Sequence, residues 1–337
     1  RLAFRYTKGK SMNSRRLPQT WPYPRHKQFK QNLQRAAAVW FSNKQLQTHP
    51  RMPYCLAKWS DWGSNIILQE VRDFIRTYMA ECEIKRKPFP LHKYIHHGLS
   101  SQAMTFNLIG PQITRNDYSP LTQLLELKGI SLTSKVSHAV FEYEDREVFN
   151  EDAGQPTSID VALFDSAGNP IVFIESKLVE QEFGGCSVFE NGDCDGRNPV
   201  GRESDCYLHF IGRRYWDWMA KYEITKNLQD EKQCIFLAHY QFFREVLLSL
   251  EKGGNFVLLS DERSPVFHSK SDGVHRGIMP FLLECIPSRY RNRIISISIQ
   301  ELVRQCRSSN KHKDWVEDFE AKYGIRPLQG KLPINVL

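Results

Sequence analysis

The residues best suited to chemistry lie in the segment 158–178, SIDVALFDSAGNPIVFIESKL, where two apolar runs flank a cluster of turn-forming residues. Asp160 lies near the start of the first run, and Glu175 and Lys177 lie near the end of the second. The turn formers from Asp165 to Pro170 predict a β-hairpin with a loop of about six residues. Such a hairpin brings two carboxylates and one ammonium group to the same end of a sheet.

The register of this hairpin decides which side chains meet. If Phe164 pairs with Ile171, Asp160 lies directly opposite Glu175, with their Cβ atoms about 4.5–5.5 Å apart. Because side chains alternate between faces along a strand, Glu175 and Lys177 share a face. We therefore expect three ionisable groups on one face at one end of the hairpin.

The rest of the hairpin is apolar on both faces, which is typical of central strands that are covered on two sides. The pattern assigns Ile159, Val161, Leu163, Val172 and Ile174 to one face, and Ala162, Phe164, Ile171 and Phe173 to the other. Burying Asp160 beside Glu175 in such a place costs free energy unless a cation or a hydrogen-bonded network compensates. A structural salt bridge from Lys177 to a carboxylate is the alternative explanation.

Two carboxylates at this separation suit Mg²⁺ (or Mn²⁺), which binds through one or two carboxylates together with water and substrate phosphate. Asp160 and Glu175 are the expected ligands, and the backbone carbonyl of Ser176 can add a third. Lys177 would lie beside the metal, where it can orient or help to deprotonate a water molecule and neutralise charge on a phosphoryl oxygen.

The elements around the hairpin alternate between helix and strand patterns. Along the chain they are a helix at Ser119–Lys128, strands at Val136–Tyr143, Ser158–Phe164 and Ile171–Lys177, a helix at Gln233–Leu250 and a strand at Asn255–Ser260. This order predicts a mixed α/β (α+β) layer fold with a central antiparallel hairpin. Residues 183–206, which are rich in Gly, Asp and Asn, predict an irregular insertion directly after the hairpin.

Asp160, followed fifteen residues later by Glu175-Ser176-Lys177 on the next strand, resembles the signature of the PD-(D/E)XK, or restriction-endonuclease-like, nuclease superfamily. The αβββαβ core of that family is similar to the element order above. The resemblance implies metal-dependent hydrolysis of phosphodiester bonds, with Asp160 and Glu175 as metal ligands and Lys177 as the catalytic lysine. It also implies a glutamate on the helix before the strands. Glu126 is the candidate, and a solvated helix charge is the alternative.

Other details of the sequence bear on this resemblance. The Pro-Asp pair of the family is not reproduced, because Ser158 stands two residues before the aspartate and Pro156 lies further back. Ser100-Ser101-Gln102-Ala103, with Asn107 and Pro111, is similar to the SSQ…N…P helix of a branch of bacterial nucleases in this superfamily. Gln241 lies where related nucleases use a polar residue near the scissile phosphate.

The net charge of +8 is unevenly distributed along the chain. The first 60 residues hold 13 Lys and Arg and no acidic residue, whereas the rest of the chain is slightly acidic. A helix predicted over His26–Gln47 carries Lys27, Lys30 and Arg35, and segregated basic charge is typical of nucleic-acid binding. An ordinary solvated basic face is the alternative. The chain begins at Arg1, and Met12 could be the natural start, so residues 1–11 are given no functional weight.

A second basic segment is the helix predicted over Tyr207–Tyr222, in which Arg213 and Arg214 lie among aromatic residues. Such a surface can contact phosphates and stack on unpaired bases. Aromatic residues at helical spacing more often belong to a hydrophobic core, which is the alternative explanation here.

Cysteines cluster in and after the insertion. Cys186, Cys194 and Cys206 can bind Zn²⁺ or an iron–sulfur cluster, with His209 or Cys234 as a fourth ligand. Their spacing lacks the compact C-x₂-C pattern, so ordinary free thiols are the alternative.

A hydrophobic fraction of 41% predicts a folded chain, and the sequence has no apolar run of the length that a membrane span requires. We expect a soluble, cytoplasmic protein with a basic helical region over residues 1–95 and a nuclease domain over residues 96–337. The expected partner is DNA, with a homodimer as one option. A non-catalytic DNA-binding subunit that kept the fold, or a metal or iron–sulfur protein with structural hairpin charges, are the other classes.

Overall fold

The computed structural model describes residues 24–87, 89–132, 134–152, 156–268, 270–271, 274–275 and 277–326. Residues 1–23, which include Met12 and the first part of the acid-free segment, lie outside the described residues. The α-helices are α1 Pro24–Asn43, α2 Gln69–Ile84, α3 Ser101–Thr114, α4 Ser119–Leu127, α5 Ser187–Glu190, α6 Tyr207–Phe210, α7 Tyr215–Lys221, α8 Ile224–Asn227, α9 Phe236–Glu251, α10 Ile278–Cys285, α11 Ser288–Arg291, α12 Ile299–Ser308 and α13 Lys313–Tyr323. Short 3₁₀ helices span Trp59–Asn65 and Glu203–Asp205. The strands are β1 Thr48–His49, β2 Met52–Leu56, β3 Val136–Asp145, β4 Thr157–Asp165, β5 Pro170–Lys177, β6 Asn255–Ser260, β7 Lys270–Ser271, β8 Val274–His275 and β9 Ile294–Ser298.

Strands β3, β4, β5, β6 and β9 form one mixed sheet in that spatial order. The first three are antiparallel neighbours, whereas β5, β6 and β9 run parallel. The order α4, β3, β4, β5, α9, β6 confirms the predicted α/β fold of the restriction-endonuclease type. Because β5 lies in the middle of the sheet, it has strand neighbours on both edges and apolar side chains on both faces.

Two hydrophobic clusters cover the two faces of the sheet. The first includes Val161 and Val257 of the sheet together with α3, α4, α12 and α13. The second includes Phe173 and Leu258 together with α7, α9 and α10. Helices α1 and α2 also contribute to the first cluster, for example through Phe29, so the N-terminal layer shares a core with the sheet. None of the helices in the described ranges is both long enough and apolar enough to cross a membrane.

The hairpin loop is shorter than the sequence predicts. Strand β4 ends at Asp165 and β5 begins at Pro170, so the loop comprises residues 166–169. The Asp165 carboxylate accepts hydrogen bonds from the backbone N–H groups of Ala167 and Asn169, both at 2.9 Å, and these bonds hold a tight turn.

The predicted pairing of Phe164 with Ile171 is wrong, because Phe164 pairs with Pro170. This register shift is confined to the end of the hairpin next to the loop, and Val161 pairs with Ile174 as the sequence predicts. The shift places Ile171 against the first cluster instead of the second.

The predicted placement of Ile159 on the same face as Val161 is also wrong. Ile159 belongs to the second cluster, whereas Val161 belongs to the first. The alternation of side chains therefore breaks between these two residues. The same break occurs on β3 between Phe141 and Tyr143, where Glu142 has a φ of +52°. A positive φ turns the strand and changes the face on which the following side chains lie.

The helices near the insertion also differ from prediction. The helix predicted over Tyr207–Tyr222 is two helices, α6 and α7, because Gly212 between them has a φ of +88° and ends the first one. Helix α9 begins at Phe236, three residues later than predicted, and it is kinked at His239. The insertion is irregular as predicted, apart from α5 and one 3₁₀ turn.

Candidate active site

The structure brings Asp160 next to strand β5, as the sequence predicts. Regular backbone pairing of β4 with β5 ends at Val161. Beyond it, the Asp160 carboxylate joins the two strands, because it accepts a hydrogen bond from the backbone N–H of Ser176 at 2.7 Å. Asp160 is partly exposed, whereas Glu175 and Lys177 are buried at the end of β5. The site therefore opens to solvent on its Asp160 side.

Lys177 and Glu175 are joined directly and also through Gln241 of α9. The Lys177 ammonium group donates to Glu175 Oε1 at 2.7 Å and to Gln241 Oε1 at 2.8 Å. The Gln241 amide in turn donates to Glu175 Oε1 at 2.7 Å and to Glu245 Oε1 at 2.7 Å. This closed network fixes the direction of the lysine charge, and it includes the glutamine that the sequence analysis placed near the scissile phosphate.

Two acidic residues of the site were missed by the sequence analysis. Glu142 of β3 is partly exposed and accepts a hydrogen bond from the Gln102 amide at 2.5 Å. Glu245 of α9 is buried, and its Oε2 has no hydrogen-bond partner among the described residues. The spacing of Gln241 and Glu245, four residues apart on one helix, was the available signal for Glu245.

Asp160, Glu142 and Glu245 have raised pKa values. Asp160 is only partly exposed, and this partial burial raises its pKa well above its ordinary value, while the charges of Glu175 and Glu142 raise it further. Burial likewise raises the pKa of Glu142 to about 7 and lifts the pKa of Glu245 well above its ordinary value. Negative charge at this site is therefore undercompensated.

Lys177 is the cation that the described residues place among these carboxyl groups. Burial alone would lower the pKa of Lys177, but the charges of Glu175 and Glu245 outweigh burial and raise it. The lysine is thus held as an ammonium ion. The charge of Glu180 also raises the pKa of Lys177, so the site has one lysine and five carboxyl groups. Asp160 and Glu175 are oxygen ligands that fit Mg²⁺ or Mn²⁺. The backbone carbonyl of Ser176 lies between Glu175 and Lys177 in the chain.

Glu126 lies on an exposed part of α4, beside Gln123, Leu127 and Gln305. Within the described residues, no hydrogen bond or ion pair joins it to the carboxyl groups of the hairpin. Its catalytic role stays a prediction.

Helix α1 begins next to the residues that follow strand β5. His26 on this helix contacts the backbone carbonyl of Val179 at 3.0 Å, two residues beyond Lys177. Lys27 and Lys30 are exposed on the same first turns, and Arg35 further along is half-buried. The basic face predicted for this helix therefore begins close to the site.

The second predicted basic segment is more strongly tied to the fold. Arg213 donates to the backbone carbonyl of Asn150, and the exposed Arg214 packs over Trp218 with its guanidinium 4.8 Å from the ring centre. Trp216 is buried in the second cluster, as the core alternative predicted. Contacts of these two arginines with nucleic acid stay a prediction.

The cysteine segments meet near the start of α9. Cys194 Sγ accepts a hydrogen bond from Gly196 N–H at 3.3 Å, and Cys234 N–H donates to the Gly196 carbonyl at 2.9 Å. Burial raises the pKa of the Cys234 thiol, and the nearby Cys206 and Cys186 thiols contribute to the rise. His209, the other predicted fourth ligand, has its Nδ1 3.8 Å from Asp217 Oδ1.

All eight cysteines are free thiols. Across the part of the chain that the structure describes, no three His, Cys, Asp or Glu side chains are arranged as a ligand set for a metal ion. Metal binding by the cysteine segments stays a prediction, which elemental analysis of the purified protein tests.

The mixed sheet, the hairpin and the charged network at its end define a protein of the restriction-endonuclease-like class. A family model described as "Restriction Endonuclease associating with ARP" matches residues 34–324. The match covers most of the chain, so the chain belongs to this family. Searches of curated proteins and of solved structures gave no match.

Proposed function

We propose that the protein is a metal-dependent nuclease that hydrolyses phosphodiester bonds of DNA. The observation that carries the proposal is the network at the end of the hairpin, in which Asp160, Glu175 and Lys177 meet on neighbouring strands. The family to which the chain belongs supports the nuclease activity and DNA as the substrate.

The residues have separate roles in this proposal. Asp160 and Glu175, with the carbonyl of Ser176, would hold Mg²⁺ or Mn²⁺, which would supply a Lewis acid for the scissile phosphate. Lys177 orients the attacking water and offers positive charge to the phosphoryl oxygens. Gln241 holds Lys177 and Glu175 at a fixed separation through its amide.

DNA approaches from the open side of the site in this proposal. Asp160 and Glu142 are partly exposed there, and the exposed Lys27 and Lys30 lie on the helix that begins beside the end of β5. Lysines at this position contact the phosphate backbone, which needs no sequence recognition.

Cleavage of supercoiled plasmid with and without Mg²⁺ tests the proposal. We expect the wild-type chain to cleave only with the metal, and we expect Asp160→Asn, Glu175→Gln and Lys177→Met each to lower the rate by roughly 100-fold or more. Glu144→Gln, an exposed position on β3, is the matched control and keeps the wild-type rate. Wild-type rates in the three site variants would overturn the assignment. DNA binding without any cleavage by the wild-type chain would instead identify a non-catalytic DNA-binding subunit.

A further inference from the structure

The segment from His92 to Tyr94 exposes polar and aromatic side chains near the proposed active site. His92 and Lys93 are exposed, and the relative exposure of Tyr94 is 54%. Single exposed aromatic residues are common on protein surfaces. The informative feature of Tyr94 is therefore its position relative to the site.

Gln102 connects this segment to the carboxyl groups of the site. Its side-chain carbonyl accepts a hydrogen bond from the backbone N–H of His92 at 2.9 Å, and its amide donates to Glu142 Oε1 at 2.5 Å. The pairing of β3 with β4 sets Glu142 opposite Asp160. Only the side chains of Gln102 and Glu142 thus separate the backbone of His92 from Asp160, on the side where the site opens to solvent.

Backbone hydrogen bonds fix the turn that carries Tyr94. The N–H of Ile95 donates to the His92 carbonyl at 2.9 Å, and the N–H of His97 donates to the Tyr94 carbonyl at 2.9 Å. Ile95 is buried in the first cluster, and its carbonyl accepts a hydrogen bond from the Asn65 amide at 2.7 Å. A ligand that contacts the Tyr94 ring therefore meets an anchored turn, which limits the conformational entropy lost on binding.

The side chains around the Tyr94 ring suit a nucleotide. The Lys93 ammonium group lies 5.0 Å from the ring centre, and the His92 ring meets the Tyr94 ring edge-on with 5.4 Å between the centres. A protein surface of this kind offers an aromatic ring on which a base can stack and a cation for the adjoining phosphate.

The segment also lies near the first turn of α1. Burial lowers the pKa of His26 and of His92, and the charge of Glu180 opposes this effect at both residues, so Glu180 is close to both. The exposed Lys27 and Lys30 follow His26 on α1. Basic side chains therefore approach the end of β5 from two separate segments of the chain, and DNA at the site can contact both.

We propose that the segment 92–94 binds an unpaired nucleotide of the substrate, with the base stacked on Tyr94 and the phosphate beside Lys93. This inference rests on the proposed nuclease function, which supplies DNA as the ligand. A base inside an intact duplex is already stacked between its neighbours, so the ring receives a base that has left the stack. The substrate class is therefore DNA with unpaired bases near the cleaved bond. Supercoiled plasmid also offers such bases, because negative supercoiling favours local unpairing.

DNA binding without divalent metal tests the inference separately from cleavage. Fluorescence anisotropy measures the affinity of the full chain for a short labelled single strand and for a duplex of the same sequence. We expect Tyr94→Ala to weaken single-strand binding by roughly 5- to 100-fold and to change duplex binding by less than about twofold. Tyr94→Phe keeps the ring, so it should keep the wild-type affinity for the single strand.

Phe281→Ala is the matched control, because Phe281 on α10 is another exposed aromatic residue, with a relative exposure of 45%. We expect it to bind both DNA forms as the wild type does. Thermal melting verifies that the variants fold. If Tyr94→Ala does not fold, Tyr94→Leu replaces it with the same expectation, since leucine is apolar and bulky but has no aromatic ring.

The outcomes separate the two proposals. Unchanged single-strand affinity in Tyr94→Ala, or an equal loss for single strand and duplex, would overturn the base-binding role, and Mg²⁺-dependent cleavage by the wild-type chain would leave the nuclease assignment standing. A selective loss of single-strand binding in Tyr94→Ala, together with a wild-type chain that does not cleave DNA, would support the base-binding role and overturn the nuclease assignment. A wild-type chain that neither binds the single strand nor cleaves DNA would overturn both.

Discussion

At the residue scale, the function of Lys177 depends on the groups that hold it. Its ammonium group is shared between Glu175 and Gln241, and the Gln241 amide bonds Glu175 and Glu245 as well. Gln241 contacts two of the three proposed catalytic residues, so in the proposed mechanism it would position them. Residues that orient catalytic groups commonly affect activity although they do not touch the reacting atoms.

Gln241→Leu removes these hydrogen bonds and leaves the direct bond between Lys177 and Glu175. We expect kcat to fall by roughly 10- to 100-fold, with a smaller change in KM, because the lysine loses its fixed orientation. Single-turnover cleavage of plasmid measures the effect, and Gln241→Glu tests whether an acceptor alone restores part of the rate. An unchanged kcat in Gln241→Leu would show that the network is structural.

Glu142→Gly tests whether the positive φ of Glu142 on β3 strains the backbone. Glycine adopts the positive φ freely, which relieves about 1–2 kcal/mol, whereas its greater freedom in the unfolded chain costs about 0.5–1 kcal/mol. We therefore expect the melting temperature of the metal-free protein to stay constant or rise while cleavage falls. A clearly lower melting temperature would contradict a strained backbone at this position.

At the element scale, the hairpin would carry out the proposed catalysis, and helix α1 would bind the DNA backbone. Strands β4 and β5 carry the charged network, and α1 begins beside the end of β5 through the contact of His26 with Val179. The exposed Lys27 and Lys30 are near this contact along the helix but take no part in the network. Binding and chemistry should therefore respond to different substitutions.

The double variant Lys27→Gln/Lys30→Gln removes two positive charges from α1. We expect weaker DNA binding and a slope of log K against log salt that is smaller by roughly 2, because each lost phosphate contact removes about 0.9 from the slope. Gel shifts at several salt concentrations measure both quantities. Lys85→Gln/Lys87→Gln, which removes two exposed charges at the end of α2, is the matched control. An equal loss in both double variants would contradict a DNA-binding role specific to α1.

The hairpin could be predicted from the sequence because strand alternation and turn residues are local signals. The register from Val161 to Leu163 followed from them, and so did the meeting of Asp160 with β5. Glu142 could not be found in this way, because its position depends on one backbone angle in β3. Glu245 depends on the packing of α9 against the sheet, which joins segments about seventy residues apart in the chain.

At the scale of the whole molecule, one hydrophobic cluster joins the N-terminal helices to the sheet and the C-terminal helices. Residues from α1, α2, α3, α12 and α13 belong to it, and the family match over residues 34–324 spans most of the same stretch of the chain. The second cluster contains α9, which carries Gln241 and Glu245, so loss of packing there would disturb the site as well as the fold.

His239 should lower the stability of the molecule in acid. This residue lies at the kink of α9, its Nδ1 is buried without a hydrogen-bond partner in the described structure, and burial lowers its pKa to about 4. The unfolded chain takes up a proton near pH 6.5, so the contribution of His239 to the free energy of unfolding decreases as the pH falls from about 6.5 to about 4. The buried carboxyl groups with raised pKa values act in the opposite direction, so the contribution of His239 is measured as the difference between wild type and His239→Phe in urea denaturation across this range. We expect His239→Phe to gain stability relative to wild type as the pH falls, and a constant difference between the two proteins would contradict the assignment.

The most direct test of the central claim is the Mg²⁺-started cleavage of supercoiled plasmid by the wild-type chain and by Asp160→Asn, measured side by side. Asp160 is one of the two proposed metal ligands, and it accepts the backbone hydrogen bond that joins β4 to β5 at the site. We expect cleavage by the wild-type chain and a rate lower by roughly 100-fold or more in the variant. Equal rates in the two proteins, with the fold of both intact, would contradict the account.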